Sequence, residues 1–427
     1  MSSTFASLSI RNYRIYAMGA IVSNVGTWMG RVAQDWVVLT ELTDHSASAL
    51  GIVTGLQFLP MLLLAPWTGA VADRFPKRLL LLVTQATLGL TALVGGVLVL
   101  TGTAQLWHFY VLALITGIAA AFDNPARQTF VSEMVPRHRL SNAVALNSAS
   151  FNLGRLIGPG VAGLVIAGIG SGQALVVNSL TFVSVIIALL CLRTSEMTPA
   201  PRVTGRGTAL EGLRYVRGRP DIVLVLVLIF VLGTFGMNFQ LTIALMATQT
   251  FHKGAEEYGL LGSIMAIGSL AAALMAARRN EPRLRVLLMA LVGFTLATTA
   301  ASLAPTYTTF AIALIACGMT SLTAMTTANA MVQMRTEPMM RGRVMALYMA
   351  IFFGGTPLGA PVIGWIGDVL GARWTLGVGA IAVGITLVVV SFWLGRHENV
   401  EVTYSSQRRP RVRVLSTPTQ DMPEAAR

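Results

Sequence analysis

Residues 69–101 read GAVADRFPKR followed by LLLLVTQATLGLTALVGGVLVLT. The second stretch, Leu79 to Thr101, runs for 23 residues without a charge. As an α-helix, at 1.5 Å per residue, it is about 34 Å long, enough to cross a hydrocarbon core about 30 Å thick. The first stretch sets Asp73, Arg74, Lys77 and Arg78 close together just before it. A long apolar run bounded by a short basic loop is the pattern of a chain that turns at a membrane surface.

The pattern repeats outward in both directions. Uncharged or nearly uncharged runs occupy 15–40, 48–72, 79–101, 106–126, 143–168, 172–192, 221–248, 257–277, 285–304, 307–333, 344–369 and 374–395. Backbone groups in lipid must be paired within the segment, and the ~10-residue alternating strands of a barrel are absent. The expected fold is therefore an all-α membrane protein with twelve transmembrane helices. Composition agrees: 54% of residues are hydrophobic and 11% charged, against about 25% charged in soluble domains. The first run is too long for a signal-peptide core and lacks a small-residue cleavage site, so it is expected to remain in place.

Charge placement gives the orientation. With the N-terminus inside, the inner segments hold 27 of the 31 Lys and Arg, and the outer loops hold only Lys253 and Arg373. That asymmetry predicts both termini in the cytoplasm. The net charge of +13 is thus topological; anionic membrane lipids, not nucleic acid, are its expected partner. The polar stretch 193–220 divides the chain into six-helix bundles, 1–192 and 221–395, followed by a basic tail, 396–427, with a disordered composition. The bundles echo each other. Gly154, Gly158 and Gly163 in the fifth span recur as Gly355, Gly359 and Gly364 in the eleventh, all offset by 201 residues. Parallel six-helix repeats around a central site are one architecture of secondary transporters.

Several function classes are excluded. Cys191 and Cys317 lie in separate apolar runs, and the five histidines fall in loops or at span ends, so neither a metal nor a cofactor is expected. No Walker or Gly-rich phosphate loop, and no nucleophile–base arrangement, points to an enzyme. A receptor would ordinarily add a soluble signalling domain, and none is evident.

The loop 69–78 resembles motif A of the major facilitator superfamily: Gly69, Asp73, Arg74, then Pro76, Lys77 and Arg78 where Gly-Arg-Arg is usual. The resemblance implies that Asp73 sits at the N-terminus of the eleventh helix, where the macrodipole favours an anion. It also implies that Lys77 or Arg78 pairs with Asp123, latching the inner gate. Gly154, Arg155, Gly158, Pro159 and Gly163 resemble motif C of the superfamily's drug–proton antiporters. The stretches around Asp123–Arg127 and Arg341–Val344 resemble the branch that includes macrolide efflux proteins and the enterobactin exporter. In that superfamily spans 1, 4, 7 and 10 line the cavity. Asn24, Trp28 and Gln34 on span 1 and Asn238, Phe239 and Gln240 on span 7 then become substrate candidates.

Arg31 and Asp35 stand one turn apart on span 1, and Asp35 is the one acid placed well inside a span. Charges at that depth cost on the order of 2.5–3.5 kcal/mol each on insertion scales. Two readings follow, a structural ion pair or a proton-coupling site, with Arg155 as a second partner for Asp35. The expected activity is secondary active efflux of a hydrophobic or amphipathic compound by proton antiport, in a monomer. A siderophore or lipid is the alternative cargo. A chain with 29 Arg and 2 Lys suits a GC-rich bacterium and its inner, or plasma, membrane.

Overall fold

In the computed structural model the described residues are 3–197, 209–279, 282–337 and 339–397, with only the backbone described at 3–4, 66, 69–70, 72–73, 209–210 and 394–397. Before the unassigned stretch 198–208 the chain forms α1 (Arg11–Trp36, continued by a wide turn over Val37–Glu41), α2 (Ala47–Leu63), α3 (Ala65–Arg74), α4 (Lys77–Leu100), α5 (Leu106–Met134), α6 (Leu140–Ile169) and α7 (Ser171–Leu190). After it come α8 (Ala209–Arg217), α9 (Pro220–Val231), α10 (Phe239–Leu245), α11 (Ala255–Ala277), α12 (Leu284–Ser302), α13 (Tyr307–Arg335), α14 (Arg341–Leu370) and α15 (Ala372–His397). Among the described residues ten helices are long and apolar enough to cross a membrane. Two expected spans fall outside that set. α1 is diluted by Arg11, Arg14, Arg31 and Asp35, and α2 stops after 17 residues. α3 opens at Ala65 just after that break, with a proline in its first turn, where the missing N–H costs no helix hydrogen bond.

The 201-residue offset reappears as geometry. Leu106 and Tyr307 begin α5 and α13, Leu140 and Arg341 begin α6 and α14, and Ser171 and Ala372 begin α7 and α15. Gly170 and Gly371 end α6 and α14 at φ +105° and +95°, values that L side chains rarely adopt. The repeated glycines make matching contacts. Gly154 and Gly158 lie against Asn24 and Trp28 of α1, and Gly355 and Gly359 lie against Thr234 beside α9. Gly163 faces the backbone of α11, and Gly364 faces the backbone of α2. Helices in lipid gain little from apolar burial, so such small-residue seams carry much of the packing.

Span 7 departs from expectation. It is not one helix: α9 and α10 are separated by a wide turn at Leu232–Gly236 and a break at Met237 and Asn238. The Asn238 side chain donates to the Thr234 carbonyl at 2.8 Å, re-pairing a group that the break sets free. The tail from residue 398 and stretch 198–208 of the linker lie outside the described residues, whereas α8 is an ordered helix within the linker region.

Candidate functional site

The chain before residue 198 and the chain from Ala209 pack as two halves. Their contacts gather toward one end, the far end, which carries the turns at 42–46 and 251–254. There Asp368, near the end of α14, accepts from the backbone N–H of Ala47 at 2.6 Å and of Ser48 at 2.9 Å, and from the Ser46 hydroxyl at 3.3 Å. These groups open α2. Its unpaired N–H groups and positive dipole end are thus closed by a carboxylate from the other half. Gln249 donates to the His45 carbonyl, and the Ser263 hydroxyl accepts from Gly160 N–H at 3.1 Å. A Cβ on Gly163 would stand 2.7 Å from the Ala255 carbonyl, so side-chain-free backbone is what lets α6 and α11 meet.

Asp35 belongs to this join. It is buried on α1, six residues before the end of the rod, and accepts from the Tyr258 hydroxyl of α11 at 3.1 Å. Trp36 stacks on the same Tyr258 ring, with centroids 6.4 Å apart. The expectation that Arg31 or Arg155 pairs with Asp35 is corrected. Among the described residues neither guanidinium forms an ion pair with that carboxylate, because both turn onto Trp28. The Arg31 Cζ stands 5.0 Å from the Trp28 ring centroid and 5.8 Å from that of Phe58, and the Arg155 Cζ stands 5.7 Å from Trp28. Phe58 in turn stacks on Phe353 of α14, with centroids 6.4 Å apart.

The other sequence candidates divide. Gln34 accepts from Gln57 of α2 at 3.3 Å, and Gln240 is half-buried. Asn24 is spent on packing: it is buried and donates to Ser150 of α6 at 2.9 Å. Phe239 is buried edge-on against Phe294, and Asn238 closes the helix break.

The loop before α4 also needs a correction. Lys77 pairs with Glu133 at 2.6 Å, not with Asp123, and Arg78 donates to the Leu189 and Leu190 carbonyls at the C-terminal end of α7. The cause is helix geometry. α4 and α5 run antiparallel, so the start of one meets the end of the other, and Asp123 lies ten residues, about 15 Å, deeper than Glu133. Asp123 instead accepts from Thr84 and Gln85 at 2.7 Å and pairs with Arg127 at 3.0 Å. Arg74 is exposed, and the Asp73 side chain lies outside the description. Sequence reasoning missed Tyr258, Asp368, Glu133 and the aromatic pair Phe58–Phe353. None has a local signal, since each gains its meaning from a partner far along the chain.

The family described as transmembrane secretion effector matches residues 2–418. The chain is similar to the staphyloferrin A transporter of Staphylococcus aureus, 26% identical over 90% of this chain and 96% of that protein. It is also similar to the multidrug efflux pump Tap of Mycolicibacterium fortuitum, 27% identical over 83% of this chain and 89% of the pump. The enterobactin exporter EntS of Shigella boydii is 26% identical over 84% of this chain and 87% of the exporter. Among solved structures the nucleoside transporter NupG superposes with a TM-score of 0.68 at 14% identity, covering 90% of this chain and 99% of that one. A bacterial homolog of the lysosomal transporter Spinster, inward-facing and occupied, gives a TM-score of 0.65 at 16% identity, covering 93% of this chain and 98% of that one; both likenesses bear on the fold alone. With its family matched nearly end to end and its fold shared with solved transporters, this chain belongs to the transmembrane secretion effector family of the major facilitator superfamily, and it is a membrane transporter rather than an enzyme.

Proposed function

We propose that this protein is a proton-driven exporter of hydrophobic or amphipathic small molecules, working by alternating access as a monomer in the bacterial plasma membrane. The observation that carries the coupling is Asp35, a buried acid at the join between the halves, held by a hydroxyl of the opposite half. A proton on such a group changes a contact made in one conformation and not in the other. Differential interaction of that kind is what shifts a conformational equilibrium. The names of the efflux relatives, multidrug pump and siderophore exporter, support outward transport and keep a siderophore as the second cargo.

In this reading α1, with its wide turn, and α2 with α3 complete twelve spans. Both termini and the linker are cytoplasmic, as the Lys and Arg asymmetry favours. The far end is then the outer face, and its contacts describe a transporter closed outside and approached from the cytoplasm. Motif A, with Asp73 on the N-terminus of α14, is assigned to the opposite, outward-facing state. Anionic lipids are the expected neighbours of the basic inner loops.

The test is export against a gradient. In cells loaded with a fluorescent dye panel and a labelled siderophore, the wild type should lower accumulation of its cargo, and a protonophore should abolish the effect. Asp35→Asn should remove uphill export yet keep downhill exchange, at equal folded protein in the membrane. Undiminished uphill export by Asp35→Asn would eliminate Asp35 as the proton carrier.

A further inference from the structure

The cluster around Trp28 is rich in donors and short of acceptors. Arg31 and Arg155 both lie within 6 Å of one indole centroid, and among the described residues neither has a carboxylate in ion-pair contact. The indole N–H of Trp28 is buried without a hydrogen-bond partner, and so is the side-chain nitrogen of Gln34. The nearest acid on the same helix, Asp35, has turned one oxygen to Tyr258. Arg31 thus has on its own helix only a carboxylate that is already engaged, and Arg155 makes no ion-pair contact with a carboxylate among the described residues. A cation on an aromatic face is only partly compensated, and a buried N–H without an acceptor is costly.

We infer that Arg31 and Arg155, with Trp28 between them, form the anion-recognition point of the substrate site, and that the cargo carries a carboxylate or similar oxyanion on an aromatic or apolar body. As residues, Arg31 and Arg155 are both partly buried rather than fully enclosed. Guanidinium forks match an oxyanion's geometry with paired donors. The indole and Phe58 rings offer flat apolar surface beside those forks, and the Trp28 N–H supplies a further donor. The position suits a site read by both halves, since Phe58 is stacked on Phe353 of α14 directly beside Arg31. A structural role would leave a different signature: cations held by carbonyls or carboxylates, as Arg78 and Arg127 are. The inference rests on the transporter reading above and on no particular coupling ion.

The test is equilibrium binding to the purified full-length protein in detergent, with three probes: 1-naphthoate, its neutral counterpart 1-naphthamide, and inorganic sulfate. Naphthoate should bind at least about tenfold more tightly than naphthamide, the margin of one charge-assisted contact. Arg31→Gln and Arg155→Gln should each bring that ratio toward one, and Arg155→Lys should keep part of it. Where a Gln variant fails to stay monodisperse, the corresponding Lys variant and its partial ratio decide. A ratio near one in the wild type, or one preserved in both Gln variants, overturns the proposal. So does binding of sulfate without naphthoate, which would leave an inorganic anion site only. Binding needs no proton gradient, so a failure of proton exchange leaves this result standing, and a ratio of one leaves the export reading standing.

Discussion

Asp368 and Asp73 invite opposite expectations from the same physics. A carboxylate at an exposed helix N-terminus contributes about 0.3–1 kcal/mol, and up to ~2 kcal/mol when partly buried. Asp368 spends that energy on the opening of α2 across the two halves. Asp368→Asn is therefore expected to loosen the far end and raise the population of far-end-open molecules severalfold. Asp73→Asn is expected to act the other way, away from outward-facing states. Spin-label distances between the halves measure both; equal shifts of the same sign would refute the pairing of roles. Lys77 belongs to the same scale. Lys77→Ala removes a largely buried, hydrogen-bonded ion pair with Glu133 and should cost about 1.5–3 kcal/mol of stability, read as a drop in melting temperature with transport retained. Arg31 and Asp35 were visible as costly residues from their depth alone. Their partners were not, because Trp28, Tyr258 and Phe58 gain their roles from side-chain direction.

At the scale of elements, the glycine seams decide where helices can meet. A side chain at Gly163 would press on the backbone of α11, at 2.7 Å from a carbonyl oxygen even for a bare Cβ. Backbone cannot rotate away as a long side chain can, so Gly163→Val should disfavour the state in which α6 and α11 touch. Cross-linking between cysteines placed on those two helices at the far end should fall several-fold relative to the parent; unchanged yield would show that the seam tolerates bulk. The break between α9 and α10 makes a second prediction. Asn238→Ala removes the donor to the Thr234 carbonyl, and a buried group left unpaired costs about 1–3 kcal/mol. Ten of the twelve expected spans and most helix ends were legible from apolar length. The break was not, since Gly236 and Asn238 inside an apolar run do not by themselves say that the helix stops.

At the scale of the molecule, the pseudo-repeat and the charge asymmetry meet. Reporters fused after Arg78, Arg206 and Arg409 should all mark the cytoplasm, and one at His45 the outside; a cytoplasmic signal at His45 would overturn the orientation. The far-end join is two-sided, α2 with α14 and α6 with α11, and the 201-residue offset relates the α6 and α14 sides of the two seams. A molecule closed at one end by two equivalent seams can open there only by tilting one half on the other. Labels at both seams should therefore separate together, with the same dependence on pH.

What the amino-acid sequence determines by itself is whatever is additive along the chain. Apolar length marks the spans, ten of which are long apolar helices among the described residues, Lys and Arg placement carries the proposed sense, and the spacing of Gly154, Gly158 and Gly163 against Gly355, Gly359 and Gly364 gives the repeat. These rest on transfer of each segment into lipid and need no knowledge of neighbours. Tertiary structure alone decides the pairings. Lys77 goes to Glu133 because antiparallel helices bring ends together, Asp35 to Tyr258 across the halves, and Arg31 with Arg155 to one indole. Those choices are differences of ångströms between residues up to 223 positions apart. They depend on how helices cross, which local spacing does not encode.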